Sequence, residues 1–305
     1  MMASPPTIPT EPPNKILEPA PSYGPRPPGI PAPIAADAAS PANPAPPSIS
    51  VCIAVRNRPA LLVKSVRSIL DNGFDDFEVV IVDDGSAVPV QEGLAEAGLL
   101  ADDRIRLVRQ PPSGISAARN TALKVARGRY ITVLDSDDEL APDGLHRIHE
   151  FLSRTGAQWI YTDYEELVGT AGRIIRLPAY PSARRMLWSV LTRPRLPFKH
   201  SGMSIDRELL VRLGGYDENT PIKVDVELVL RALASDVRLV HLAYPVVRFH
   251  RHGDNISRKR LAGLSVWHRL ITTYTRPRIP GLALAVVALR GVSEVGKALV
   301  TSFDR

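Results

Sequence analysis

The sequence predicts an α/β fold: a Rossmann-like, mostly parallel sheet flanked by helices, preceded by a proline-rich leader and followed by a short helical extension. Three observations lead there. Apolar β-branched runs alternate with helical patterns from residue 48 to about 165, the spacing of strands joined by right-handed helical crossovers. Two of those runs end in acidic clusters, Asp83-Asp84 and Asp135-Ser136-Asp137-Asp138. Ahead of Ser48 the texture is different: sixteen of the 29 prolines fall in residues 1–48.

Taking the elements in order, residues 1–47 hold too little apolar surface to offset ordering entropy and are expected to be a disordered, polyproline-leaning leader. They lack the basic start and continuous apolar core of a secretory signal. Ile49–Val55 reads as a buried strand. A helical pattern opens at Arg58-Pro59 and stops at Asn72-Gly73. Phe77–Val82 is a second strand, followed by what reads as an acidic turn. Ile105–Val108 is a third, and Ser113–Ala126 is helical. Arg129–Leu134 is a fourth strand, a helix starts at Pro142, and Trp159–Thr162 is a fifth strand. Beyond it, Arg173–Arg185 reads as irregular or hairpin structure and Phe198–Ile205 as a strand. Asp206–Leu213 is a short helix closed by Gly214-Gly215, and Lys223–Ala234 is a further helix. Val237–Val240 and Val246–Phe249 read as short strands. The domain is expected to span 48–260, with a helical extension over 261–305.

Composition narrows the function classes. Of 305 residues, 44% are hydrophobic and 23% charged, as in an ordinary globular chain. Cys52 is the single cysteine, so neither a disulfide framework nor a cysteine zinc site forms within one chain, which fits a reducing, cytoplasmic setting. The net charge of +6 is spread among 32 acids without a nucleic-acid reading motif, so nucleic acid is not the expected partner. The apolar run Leu282–Leu289 is about half the roughly 20 residues of a bilayer span. Residues 282–300 are helically amphipathic; packing on the chain's own domain is the favoured reading and a peripheral membrane contact the second.

Ligands of such sheets bind at the carboxyl ends of the strands, and both acidic clusters are delivered to that rim. Two carboxylates one residue apart, Asp135 and Asp137, suit a hard divalent cation, Mg or Mn, that in turn neutralises a departing diphosphate.

The ordered set VDDGS (82–86), GISAARN (114–120), ARGRYITVLDSDD (126–138), GGYDE (214–218) and DVELVLRA (225–232) resembles the family 2 glycosyltransferases over about Ser50–Ser257. The resemblance implies a GT-A fold and inverting sugar transfer from a nucleotide diphosphate donor, with uridine the favoured base. It places Asp84 against the base, with Asp83 assisting or only fixing the turn. Asp137 becomes the metal ligand and Asp135 a contact to the ribose or to a metal-bound water. Arg119 and Asn120 fall near the donor, where Arg119 either touches it or ties its helix to an acidic loop. His252 matches the histidine that completes the metal shell in some members. Asp225 matches the general base, set at the head of a helix near the acceptor hydroxyl; Glu227 points elsewhere and reads as structural.

The sequence departs from the family pattern at Val224, where a glutamate is usual, and at Arg56, where an aromatic is usual. A non-catalytic nucleotide-sugar-binding or partner-binding relative of the GT-A fold is the alternative reading. A nucleotidyltransferase is a weaker one, because Ala54–Arg58 offers no glycine or lysine for a phosphate loop. The acceptor stays open among saccharide, lipid-linked saccharide, peptide and small molecule.

Overall fold

The computed structural model describes residues 45–168, 171–193, 195–250, 262–275, 281, 284–289 and 291–292. The expected leader therefore lies outside the described residues apart from its last three positions, and so do His252 and most of 282–300. Within that last stretch Val286 is buried, while Leu284, Leu289 and Val292 are exposed.

Strands β1 (Ile49–Val55), β2 (Phe77–Asp84), β3 (Ile105–Gln110) and β4 (Tyr130–Val133) form the parallel half of one sheet, in the order β3-β2-β1-β4. The sheet continues through β8 (Ser204–Asp206), β6 (Trp159–Val168), β9 (Val240–His250) and β5 (Glu139–Leu140), with β7 (Ala171–Ile175) hairpinned onto β6. β8 runs antiparallel to both β4 and β6, so β6 and the β9 paired parallel to it point the same way as β1–β4. Six strands thus share one direction, and β5, β7 and β8 oppose it.

Both faces of β1 and β2 are covered, which is why these strands read as near-continuous apolar runs, broken inside only by the hydrogen-bonded pair Ser50 and Glu78. Val51, Ile53, Val79 and Ile81 point into one core with Leu62, Val66 and Ile69 of α1 (Pro59–Leu70) and Leu145, Ile148 and Leu152 of α4 (Gly144–Thr155). Cys52, Val80 and Val82 point into the other with α3 (Ile115–Val125), α5 (Ala183–Thr192), α7 (Val224–Ala234) and α8 (Ala262–Tyr274). Two further short helices are α2 (Val90–Glu96) and α6 (Arg207–Arg212).

Several expected boundaries shift for physical reasons. Asp83 and Asp84 belong to β2 rather than to a turn, because β3 runs on to pair Arg109 and Gln110 with them. The two strands expected over 237–249 are one, Val240–His250. Its pairing with β6 breaks register around Asp163, opposite Pro245, a residue that has no N–H to give to a ladder. Only Ser204–Asp206 of the strand expected over 198–205 is extended, since the chain turns at His200–Met203, where Gly202 has φ 89°. Helix α5 was not expected.

Gly128 shows how closely the parallel half is packed: a Cβ there would stand 2.5 Å from the backbone nitrogen of Ser50. Its own N–H donates to Ser50 Oγ, which donates to buried Glu78, whose carboxylate also accepts from Arg127. A second buried polar knot fastens α7. Arg231, 1% exposed, donates to both oxygens of Glu227 at 3.1 and 2.6 Å and to the carbonyls of Leu213 and Gly215. Tyr274 of α8 donates to the same Glu227 at 2.8 Å. Glu227 is therefore a structural anchor. Removing the guanidinium leaves a buried carboxylate and two carbonyls unpaired, so Arg231→Ala is expected to cost about 3–5 kcal/mol, read as a lowered denaturant midpoint at unchanged slope.

Candidate active site

The carboxyl end of β2 is closed by its own acids. Asp83 accepts from the N–H groups of Ser86 (2.9 Å) and Val90 (3.4 Å) and faces Arg109 at 3.4 Å. Asp84 accepts from Gln110 Nε2 and from the N–H of Ser113, both at 2.8 Å, and from the N–H of Gly114 at 2.9 Å. It thereby holds the 110–114 loop against the strand end. Between them Gly85 has φ 65°, and a Cβ would meet the Pro112 ring at 2.5 Å, so the VDDGS pattern admits only glycine there. Asn57, with φ 57°, locks the end of β1 to the same loop: its N–H donates to Ser86 Oγ and its Oδ1 accepts from Ala87, both at 2.8 Å.

The acidic turn after β4 places three carboxylates within four residues, and a different cation meets each. Arg119 of α3 binds Asp135 at 2.9 Å. Arg58, at the head of α1, binds Asp137 at 2.6 Å. Lys199 lies 3.4 Å from Asp138. Burial pushes Asp138 up to about 7, against the pull of Lys199, and neither of its oxygens has a hydrogen bond among the described residues. Burial also opposes the ionisation of Asp135, but Arg119 and Lys199 outweigh it and hold this carboxyl below its ordinary value.

Arg119 is the junction. Its guanidinium lies 5.4 Å from the centroid of the Tyr216 ring, and it is the leading charge opposing the rise of Asp225 at the head of α7. Burial raises the Asp225 carboxyl, Arg119 restrains it, and Asp135 adds repulsion, so Asp225 lies within electrostatic reach of the Arg119–Asp135 pair. His200 is buried there too, with Nε2 3.1 Å from the Tyr216 hydroxyl and Nδ1 without a partner among the described residues. Burial, and then Arg119, push this imidazole down to about 3, so it is neutral at physiological pH.

The structure thus brings Asp135, Arg119 and Asp225 together, with Asp137 on the same turn. Asp83 and Asp84 stand apart from that group at the end of β2. Asn120 faces inward: it accepts from the N–H of Tyr216 at 2.8 Å and donates to the Tyr216 carbonyl at 2.9 Å and to Glu218 at 2.8 Å. Its reach is spent on bringing Tyr216 beneath Arg119. Among the described residues no three His, Cys, Asp or Glu side chains are grouped to hold a metal ion. Arg58, Lys199, His200 and Tyr216 were not singled out from the sequence. Arg58 sits in the Arg-Asn-Arg-Pro run that opens α1, but no spacing rule pairs it with an acid 79 positions away.

Comparison with known proteins gives this geometry a family. Residues 50–210 match the model of glycosyl transferase family 2. An uncharacterized protein of Sinorhizobium fredii, y4gI, is 30% identical over 202 residues, covering 65% of this chain and 22% of its own length. The succinoglycan biosynthesis protein ExoO of Rhizobium meliloti is 36% identical over 132 residues, covering 43% and 37% respectively. Chondroitin synthase of Escherichia coli is 28% identical over 219 residues, covering 70% and 30%. The chain thus spans well under half the length of these relatives. Among solved structures, S. aureus TarS in complex with UDP-GlcNAc superposes with a TM-score of 0.62 at 14% identity, over 82% of this chain and 73% of that one. A mannosyltransferase of Pyrobaculum calidifontis, bound to GDP-Man and Mn2+, gives 0.58 at 17%, over 83% and 76%. These likenesses show the GT-A fold, and with the family match they establish that the chain belongs to the family 2 glycosyltransferases.

Proposed function

We propose that the chain transfers a sugar, with inversion, from a nucleotide diphosphate donor to an acceptor hydroxyl. UDP is the favoured carrier, Asp225 the base, and Asp137 the holder of a divalent metal. The observation that carries this reading is the Arg119–Asp135 ion pair after β4 acting electrostatically on Asp225 at the head of α7. A carboxylate raised by burial and restrained by a neighbouring cation is poised as a base without being lost to protonation.

In the proposed reaction Asp225 takes the proton of the acceptor hydroxyl while that oxygen bonds to the anomeric carbon. The bond from that carbon to the diphosphate oxygen breaks on the opposite face, and its electron pair leaves with the diphosphate. One such displacement inverts the configuration, as in one-step glycoside chemistry. Asp84 has lone pairs beyond those used by the 110–114 loop and is assigned to the base; Asp83 fixes the turn. Asp135 is assigned to the ribose, and Arg119 to the donor's developing negative charge. Asn120 acts as a positioning residue through Tyr216.

Asp135 and Asp137 supply the carboxylate oxygen that a hard cation takes, while Asp138 beside them is met by Lys199. Asp137, together with His252 outside the described residues, would hold Mn2+ or Mg2+, which supplies charge neutralisation to the leaving diphosphate. Arg58 must release Asp137 for this to happen. No described helix is long and apolar enough to cross a membrane.

Asp225→Asn keeps the shape and loses the base. It is expected to bind UDP as the parent does and to lose about 10²–10⁴-fold in transfer rate, followed as nucleotide release with acceptor present; unchanged turnover would remove Asp225 from the role. Because the Asp225 carboxyl lies above its ordinary value, kcat/KM should rise with pH along an acid limb displaced upward from that of a free aspartate. Arg119→Gln, by deleting the cation that favours the carboxylate, should move that limb to still higher pH. In a thermal-shift titration, nucleotide should stabilise the parent only with Mn2+ present, and Asp137→Ala should abolish that dependence. A metal-independent shift in both proteins would instead give the neutralising role to Arg58 and Lys199.

A further inference from the structure

The segment from β7 to the start of β8 carries a charge that the rest of the chain does not share. Residues 171–200 contain six arginines and Lys199 but no aspartate or glutamate, so their +7 exceeds the +6 of the whole chain. All six arginines are exposed. Arg173 pairs loosely with Glu166 at 3.8 Å, whereas the side chains of Arg176, Arg184, Arg185, Arg193 and Arg195 make no ion pair or hydrogen bond among the described residues. A solvated face would ordinarily intersperse both signs; one sign left uncompensated on five side chains costs self-repulsion that an anionic partner relieves.

Part of this charge lies on the rim of the active site. β6 runs alongside β4 through β8, with Trp159 opposite Ile205 and Ile205 opposite Ile131. Two to five residues further on, Tyr161–Tyr164 therefore lie level with the acidic turn. Arg195 and Arg173 both act on the Tyr164 phenol, and Arg176 precedes Leu177, whose N–H donates to Asp163 at 2.7 Å. Tyr164 stands edge-on to Phe249 at 6.2 Å. Lys199 Nζ lies 3.5 Å from the centroid of the Phe249 ring and reaches Asp138. Contacts from Tyr164 through Phe249 and Lys199 thus lead to the turn that holds Asp135 and Asp137, and Arg173 and Arg195 act electrostatically on the Tyr164 end of that row.

Resting on the transfer reaction proposed above, we infer that the acceptor is an anionic glycan, a saccharide or polyol chain bearing carboxylate or phosphate groups. It docks on the ledge of Arg173, Arg176 and Arg195 with its hydroxyl turned toward Asp225. The preference for arginine over lysine suits this ligand, because the planar guanidinium fork pairs with either oxyanion through two parallel hydrogen bonds.

The test uses the full chain and isothermal titration with three probes: a uronate oligosaccharide, the same oligosaccharide with its carboxyls reduced to alcohols, and a glycerol-phosphate oligomer. The parent should bind one or both anionic probes at least ~10-fold tighter than the reduced one, and the double variant Arg173→Gln/Arg195→Gln should lose ~10-fold or more of that affinity. Which anionic probe binds better names the group recognised. Arg67→Gln/Arg154→Gln, which removes equal charge from α1 and α4, should leave binding within ~2-fold. Equal binding of the charged and reduced oligosaccharides, or equal loss in both double variants, would overturn the inference. Arginine-dependent binding to phosphatidylglycerol vesicles without binding to either anionic oligomer would also overturn it, in favour of a membrane face. UDP-induced stabilisation is measured in every variant. If it persists while the probes fail, only the acceptor class is wrong; if it is absent from the parent, the transfer reading itself fails.

Discussion

Three carboxylates in the five residues that follow β4 are the constraint around which the site is built. Asp138 is fully buried, and Asp135 and Asp137 are partly so. Negative charges this close, removed from bulk water, are tolerated only with cations at hand. The chain supplies one for each, and from three separate places: Arg58 from the head of α1, Arg119 from the second turn of α3, and Lys199 from the segment before β8. The turn's shape therefore depends on three elements being docked correctly.

Each cation is itself held by local devices. Arg58 follows Asn57, whose left-handed conformation and two hydrogen bonds tie the end of β1 to the Gly85 loop. Arg119 rides on α3, whose start is fixed by Asp84 gripping the N–H groups of Ser113 and Gly114. The next residue, Asn120, draws Tyr216 under the guanidinium. Arg231 binds the Leu213 and Gly215 carbonyls and so fastens that same loop to α7, the helix that carries Asp225 at its head. Asp84, Asn120 and Arg231 thus relate the end of β2, helix α3 and helix α7 to one another. A motif set spread over 150 residues behaves as one hydrogen-bonded unit.

This explains what the sequence made legible and what it did not. The parallel half was readable because its strands are buried on both faces: Ile49–Val55 is apolar throughout apart from Ser50, and it forms the strand over those same residues. The acids were readable because they sit at strand ends in recurring patterns. Their counter-cations were not, since Arg58 and Asp137 are brought together by tertiary packing rather than by any period along the chain. The antiparallel half was harder for the same reason. β8 is three residues long and β9 breaks register at Pro245, features set by the partner strand. Helix α5 is a different case: Ala183, Met186, Leu187, Val190 and Leu191 are all buried and stand at regular helical spacing, so the sequence does signal this helix and the reading of 173–185 as irregular or hairpin structure passes over it.

The two halves of the sheet also differ in what they can vary. In the parallel half, a Cβ on Gly85 or Gly128 would collide with neighbouring atoms, and Glu78, Asp83 and Asp84 are each committed to several hydrogen bonds. Little there can change without losing the fold, which suits a surface assigned to the invariant part of the chemistry, the nucleotide donor. The β6–β7 hairpin and the stretch to β8 carry few such commitments, and their arginines point to solvent. A substitution there alters charge and shape at the rim while leaving both cores intact. A fold that serves many acceptors would keep its recognition in this half, and the uncompensated arginines are where this chain differs in charge from the rest of its own surface.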